Sequence, residues 1–287
     1  MAVHEVRVSG PAYVALVTDL LHRVRLADPE AGEWEAADLQ WWWRKPRRSD
    51  GVDQLFWIDD DGPVAAVVLT DWEQVWGCDC ILVPDLPTAP PVAEVWARAV
   101  QLIEPVRPEA VETLVRDDDT AMRALVTGSG FVAGDGSDYM CWMAAGSRPP
   151  VAAAPPGFAI VDRADATDEP HPMRHRNGPD VQTRLLECSL YDPALDLAVL
   201  DPDGRAAGYA LFWYDPLTQV GMVEPMRIED EFQRRGLARA LLTEGQERLA
   251  RRGARRLKVS CSTDAARALY EGAGFRATTL SHTYALR

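Results

Sequence analysis

No stretch of about 18 apolar residues occurs anywhere in the 287-residue chain, so no membrane-spanning helix is expected. The start, Met1-Ala2-Val3-His4-Glu5-Val6-Arg7, lacks the basic-then-apolar order of a secretory leader. Five scattered cysteines, an odd number, do not make a disulfide framework, and the chain reads as a reduced, cytoplasmic protein. Cys78 and Cys80 point the same way on a strand, but without a His or further Cys nearby they form no zinc set, and no metal is expected. His171 and His175 stand at helical spacing, yet Pro170 and Pro172 flank the first; they are read as bordering an acceptor site rather than as ligands. Lysine is nearly absent, with Lys45 and Lys258 against 28 arginines; beside abundant Ala, Val and Pro this is codon bias of a GC-rich genome.

A basic surface is also missing. The net charge is −14, and residues 1–145 carry all of it, with 25 acidic and 11 basic side chains against 19 and 19 in residues 146–287. Nucleic acid is therefore not an expected partner. The strip Trp41-Trp42-Trp43-Arg44-Lys45-Pro46-Arg47-Arg48 is read as a buried helix end or a cleft wall, not as a stacking platform for single strands. The acidic half serves solubility, or draws in a cationic substrate.

What is present is a composition with 47% hydrophobic and 26% charged residues, enough for two ordinary cores and incompatible with wholesale disorder. A Pro/Ala-rich stretch at 146–156 reads as a linker between residues 1–145 and 157–287. Similar patterns flank it. From Ala121 to Phe131, seven of eleven residues equal those 144 positions later, from Ala265 to Phe275. Asp59-Asp60-Asp61-Gly62 and Asp201-Pro202-Asp203-Gly204 each sit between two strand-like runs, as hairpin turns. Two matches in the same order imply a duplicated domain. In the second copy the periodicity predicts strands at 158–162, 197–200, 206–213, 220–228, 256–261 and 279–286. Helical stretches are predicted at 173–188, 236–251 and 265–273. That order gives an α/β fold, a mixed sheet flanked by helices.

The informative segment is Ile228-Glu229-Asp230-Glu231-Phe232-Gln233-Arg234-Arg235-Gly236-Leu237-Ala238-Arg239. A strand ends, an acidic turn follows, and a helix begins at a glycine. Unpaired amides at a helix start make an anion site, and Gly236 and Ala238 let a phosphate approach the backbone. Arg234, Arg235 and Arg239 add positive charge.

Gln233-x-x-Gly236-x-Ala238 resembles the Gln/Arg-x-x-Gly-x-Gly/Ala signature of the GNAT N-acetyltransferase superfamily, and Ala268-Leu269-Tyr270-Glu271-x-x-Gly274-Phe275 resembles its second motif. The resemblance is close over 157–287 and weak over 1–145, in a tandem layout similar to that of mycothiol synthases. It implies that acetyl-coenzyme A is the co-substrate and that Gln233 to Arg239 cradle its pyrophosphate. It further implies that backbone groups of Met226, Arg227 and Ile228 lie along the pantetheine arm, with Thr263 where the family often has Asn beside that arm. Tyr270 would face the coenzyme sulfur.

Direct transfer of the acetyl group to the amine of a small molecule is the implied reaction. Tyrosine and thiol reference pKa values of about 10 and 8.5 make full proton transfer uphill, so either the site depresses the tyrosine or Tyr270 only hydrogen-bonds the thiolate. Glu224, four residues before Ile228 and so on its strand face, is the candidate base, with a salt-bridged structural role as the alternative. The first copy has Ala89, Val92, Glu94 and Val126 at the four motif positions and four prolines in 83–91, so it is expected to bind no coenzyme and to serve packing and one wall of the acceptor cleft. The rival reading is a non-catalytic acyl-coenzyme A-binding or regulatory protein. The residues leave the oligomeric state open, and two domains in tandem can make a monomer sufficient.

Overall fold

The computed structural model describes residues 3–106, 108–166 and 169–286. The elements are β1 (His4–Val8), α1 (Gly10–Ala27), α2 (Ala36–Trp42), β2 (Gln54–Asp59), β3 (Gly62–Asp71), β4 (Trp76–Leu82), α3 (Val92–Ile103), β5 (Val111–Arg116), α4 (Thr120–Gly128) and β6 (Val132–Ala144). The same order then recurs as β7 (Ala159–Asp162), α5 (Arg174–Asn177), α6 (Val181–Leu186), β8 (Asp196–Leu200), β9 (Ala206–Asp215), β10 (Val220–Ile228), α7 (Leu237–Arg252), β11 (Arg256–Cys261), α8 (Asp264–Gly272) and β12 (Arg276–Leu286). The fold is mixed α/β.

The duplication extends to turn chemistry. In the β2–β3 hairpin the Asp59 carboxylate accepts from the Asp61 amide at 2.9 Å, and in the β8–β9 hairpin Asp201 accepts from Asp203 at 3.0 Å. Each closes an Asx turn that ends on a left-handed glycine, Gly62 or Gly204.

Two compact units form, and they are cut differently from the sequence halves. Unit 1 comprises Met1–Leu39, Pro46–Asp138 and Thr279–Arg287; unit 2 comprises Gln40–Lys45 and Tyr139–Thr278. The reason is strand pairing. The last strand β12 runs antiparallel to β5, with Ser281 opposite Arg116 and Leu286 opposite Val111, while residues 139–144 of β6 run antiparallel to β11. Strand order in unit 1 is β1-β2-β3-β4-β5-β12, and in unit 2 it is β6-β11-β10-β9-β8-β7.

Unit 1 buries Val67, Leu69, Val95, Trp96 and Val126 in one cluster. Unit 2 buries Leu197, Phe212, Val223, Leu241, Leu249, Leu257 and Phe275 in another. The Pro/Ala stretch after β6 lies along α7, where Arg148 donates to Glu247 at 2.8 Å and the Ala152 amide to the Thr243 hydroxyl at 2.9 Å. Instead of one helical region at 173–188, unit 2 has the short α5 and α6. The Trp41–Trp43 strip packs there: Trp43 donates to Glu187 at 2.7 Å with Arg184 4.0 Å over its ring, and Arg44 covers Trp41 at 3.9 Å. Both rings are buried, as required of packing rather than of a nucleic-acid platform.

Leu242, Gly245 and Leu249 of α7 face the unit 2 core, joined by Leu237 and Leu241; Ala238, expected on the same face, is half-buried. Gly245 lets the helix sit on the Phe212 ring: a Cβ there would lie 2.0 Å from Phe212 Cζ. Overpacking of about 1–3 kcal/mol outweighs the roughly 1 kcal/mol that alanine gains over glycine in a helix. Gly245→Ala is expected to lower the urea midpoint of the chain; an unchanged or higher midpoint would contradict this seating of α7.

Candidate functional site

Strands β10 and β11 start as parallel neighbours, with Val220 opposite Arg256, Gly221 opposite Leu257 and Met222 opposite Lys258. The ladder ends there, although β10 continues to Ile228 and β11 to Cys261. A cause lies in β10 itself. Pro225 has no amide to give, and the register against β9 slips by one residue, from Val223 opposite Phe212 to Met226 opposite Ala210. The Trp213 indole donates to the Glu224 carbonyl at 2.7 Å and pins the bulge. Beyond Met222, β10 no longer pairs with β11.

The bulge corrects one expectation. Because of the slipped residue, Ile228 shares its strand face with Met226 and Val223, not with Glu224 by fourfold spacing. Ile228 is a core residue, Met226 packs against the core, and Glu224 sits half-buried in the bulge. Pro225 inside a strand pattern was the available signal for this break.

After β10 the chain makes a 3-10 turn at Asp230–Phe232. Phe232 is buried and meets the Phe158 ring edge-on at 6.0 Å, and Gln233 donates to the Ile228 carbonyl at 3.2 Å, so the loop is tied to the strand it leaves. Burial acts to raise the Glu229 pKa, but hydrogen bonds and charge from Arg176 and Arg227 outweigh it and hold the carboxyl below its ordinary value.

Helix α7 then starts one residue later than expected. Gly236 is its N-cap at φ 86°, with no side chain capping the amides, and the Ala240 amide makes the bond to the Gly236 carbonyl. The amides of Leu237, Ala238 and Arg239 have no intrahelical acceptor. A Cβ on Gly236 would come no nearer than 4.0 Å to Pro155, so the space over the helix start is open. Among the described residues Arg234 and Arg239 form no ion pair. Arg235 spends one nitrogen on the Glu231 carbonyl at 3.0 Å and lies 5.5 Å from the Phe232 ring.

Tyr270, on α8, is buried, with its ring edge-on to Phe275 at 6.0 Å. Burial pushes its pKa up, and so do Glu224 on β10, Cys261 on β11 and Cys141 on β6. The phenol therefore senses both strands that part. The alternative in which the site depresses the tyrosine is not what the structure has. Thr263 is the N-cap of α8, its hydroxyl accepting from the Ala266 amide at 3.2 Å, which commits the side chain to the helix.

His171 is buried, bonded to Asp196 at 2.7 Å and accepting from the Met173 amide at 3.1 Å, while His175 is exposed on α5. Among the described residues no group of three or more His, Cys, Asp or Glu is placed to hold a metal ion, and no helix is long and apolar enough to cross a membrane. All five cysteines are free thiols.

The sequence profile of the acetyltransferase (GNAT) family matches residues 163–275, which include the bulge, the loop, α7 and Tyr270. Residues 163–275 are a match to a GNAT acetyltransferase domain. Solved structures extend the likeness beyond that domain. A tandem GNAT protein from the clavulanic acid biosynthesis pathway superposes with a TM-score of 0.71 at 15% identity, over 99% of this chain and 98% of that one. A GCN5-related N-acetyltransferase from Sphaerobacter thermophilus gives 0.62 at 18%, over 99% and 95%. One from Kribbella flavida gives 0.56 at 16%, over 92% and 95%. At these identities the likeness is one of fold. No curated protein sequence matches the chain.

The cap assignment in this GNAT domain is open to test. Removing an N-cap hydroxyl costs about 1 kcal/mol. Thr263→Ala is expected to lower unfolding free energy by that amount with no ligand present, by urea denaturation. No loss would return Thr263 to a ligand-facing role.

Proposed function

We propose that the protein is an acetyl-coenzyme A-dependent N-acetyltransferase that uses the groups gathered in unit 2 to transfer an acetyl group to a small-molecule amine by direct attack. The observation that carries this reading is the combination of two parted strands with an uncapped helix N-terminus at the end of one of them. Open space over Gly236, three amides without intrahelical acceptors and two arginines outside ion pairs suit a pyrophosphate. The stretch of β10 at Met226, Arg227 and Ile228, which no longer pairs with β11, suits an extended amide-bearing arm, and one amide there would polarise the thioester carbonyl.

In the reaction the neutral amine attacks the thioester carbon. The N–C bond forms, the C–S bond breaks, and the amine proton leaves to Glu224 directly or through a water. Tyr270, with its pKa raised, keeps its proton and donates a hydrogen bond to the departing thiolate, which takes its proton from solvent. Acidic residues 1–145 favour an acceptor that is cationic before it is deprotonated for attack. Release of free thiol from acetyl-coenzyme A with a panel of amines separates this reading from a coenzyme-binding protein without turnover.

Gly236→Glu is expected to abolish acetyl-coenzyme A binding in calorimetric titration. Gly236→Ala, with the same backbone strain but no charge, is expected to retain it. Equal affinity in wild type and the Glu variant would discard the phosphate loop.

Tyr270→Phe is expected to lower kcat about 100-fold while changing coenzyme affinity less than about threefold. Full activity in single-turnover acetyl transfer would reduce Tyr270 to a packing residue.

A further inference from the structure

Unit 1 repeats the parted-strand geometry with the opposite electrostatics. Strands β4 and β5 pair in parallel at Trp76 with Val111 and at Gly77 with Glu112, and then separate. Between them lies a cavity of about 820 Å³, within the range that holds small organic ligands. Leu21, Val24, Ile81 and Val115 supply apolar wall. Charge on the lining is strongly one-sided: Asp28, Glu30, Glu33, Asp79 and Asp119 against Arg116. Arg116 is itself held by Asp118 at 2.8 Å.

Asp79 is the group that singles out this cavity. It is 8% exposed and lines the space, and among the described residues its one hydrogen bond comes from the Trp34 indole at 3.1 Å to Oδ1. Its other oxygen is left without a donor. Burial, with the charges of Glu33 and Glu112, lifts the carboxyl to about 7 against the pull of the Trp34 bond. Tyr13, Cys78 and Cys80 lie in its electrostatic reach, and each has its pKa raised in part by the Asp79 charge. No cation contributes to its shift. A buried carboxylate with a free oxygen, in an apolar cavity rimmed by further carboxylates, is best balanced by a cation.

An acyl-coenzyme A does not suit this place. Helix α3 starts behind Pro90 and Pro91, the Glu94 amide already donates to the Pro91 carbonyl at 2.9 Å, and the Glu94 carboxylate stands in the first turn. Few donors remain for a phosphate, and the field repels one.

We propose that the unit 1 cavity is a separate binding site for an organic amine in its cationic form, with the ammonium on Asp79 and the apolar body between β4 and β5. The proposal does not rest on the acetyltransferase reading of unit 2.

The test is calorimetric titration of the full chain with 2-phenylethylamine and tryptamine, and with the neutral 2-phenylethanol and tryptophol, at pH 7.5. At least one amine is expected to bind one per chain, at least tenfold tighter than its alcohol. Asp79→Asn, which keeps an acceptor for Trp34 and removes a buried charge, is expected to fold and to weaken the amine about tenfold or more. Glu33→Gln, as a second variant, is expected to weaken it less. Coenzyme titration of the Asp79→Asn variant is expected to match wild type, which keeps failure here distinct from failure of the unit 2 reading. Absence of amine binding up to about 10 mM, equal affinity for the alcohols, or undiminished binding in Asp79→Asn would each overturn the proposal.

Discussion

The end of the β10–β11 ladder at Met222 and Lys258 is the constraint on which the rest of unit 2 depends. Backbone groups that lose their sheet partners must find others, so ending a ladder inside a sheet is costly. Here the break is enforced locally. Proline at 225 cannot donate, one extra residue sits in the bulge, and the indole of Trp213, itself fully buried, holds the Glu224 carbonyl in its new direction. The same slip sends Ile228 and Val223 to the core face, so the break and the core packing come from one event. Gln233, reaching back to the Ile228 carbonyl, then carries the strand end directly into the start of α7.

Unit 1 shows that the parted pair and the glycine-led helix start are separable. Its β4–β5 pair opens after two residue pairs, as β10–β11 does after three. Helix α3, however, is entered through prolines and carries Glu94 early, whereas α7 is entered through a left-handed glycine with arginines on either side. The opening is a property of the backbone, and the ligand chemistry is set by the residues at the helix start and by the charges on the walls.

Much of this was legible in the residues. The repeated segment around Ala121 and Ala265 marks α4 and α8, which start 144 positions apart, and the two Asp-Gly turns mark hairpins closed by the same Asx bond. Strand 256–261 and the buried stripe of Leu242, Gly245 and Leu249 follow from short-range periodicity. Other features depend on pairings between distant segments. Nothing local in residues 279–286 says that they lie beside β5, and the alternation in β10 is misread unless Pro225 is given weight over its apolar neighbours. Thr263 was placed by analogy beside the pantetheine arm, where the family often has Asn, although Thr followed by Asp at a helix start is a capping signal in its own right. The cavity at Asp79 was hidden because its acids come from the segment after α1, from β4 and from the N-cap of α4, and only the fold gathers them.

The environment of Tyr270 bears on how the proposed chemistry is divided. Its phenol is raised by burial and by the charge of Glu224, and a bound thioester would add no positive charge to bring it down. Donating a hydrogen bond requires only that the phenol stay protonated, and a raised pKa secures that at every working pH. Giving up the proton would leave a phenolate beside Glu224 in a buried place, which is the state the site penalises most. In the proposed reaction Glu224 takes a proton from the amine, which would remove its charge and with it one cause of the upward shift. On that proposal the two residues are coupled: a base that acts first makes the tyrosine a better donor to the departing sulfur, and Glu224→Gln, which removes the charge, would lower the phenol pKa even as it removes the proposed base.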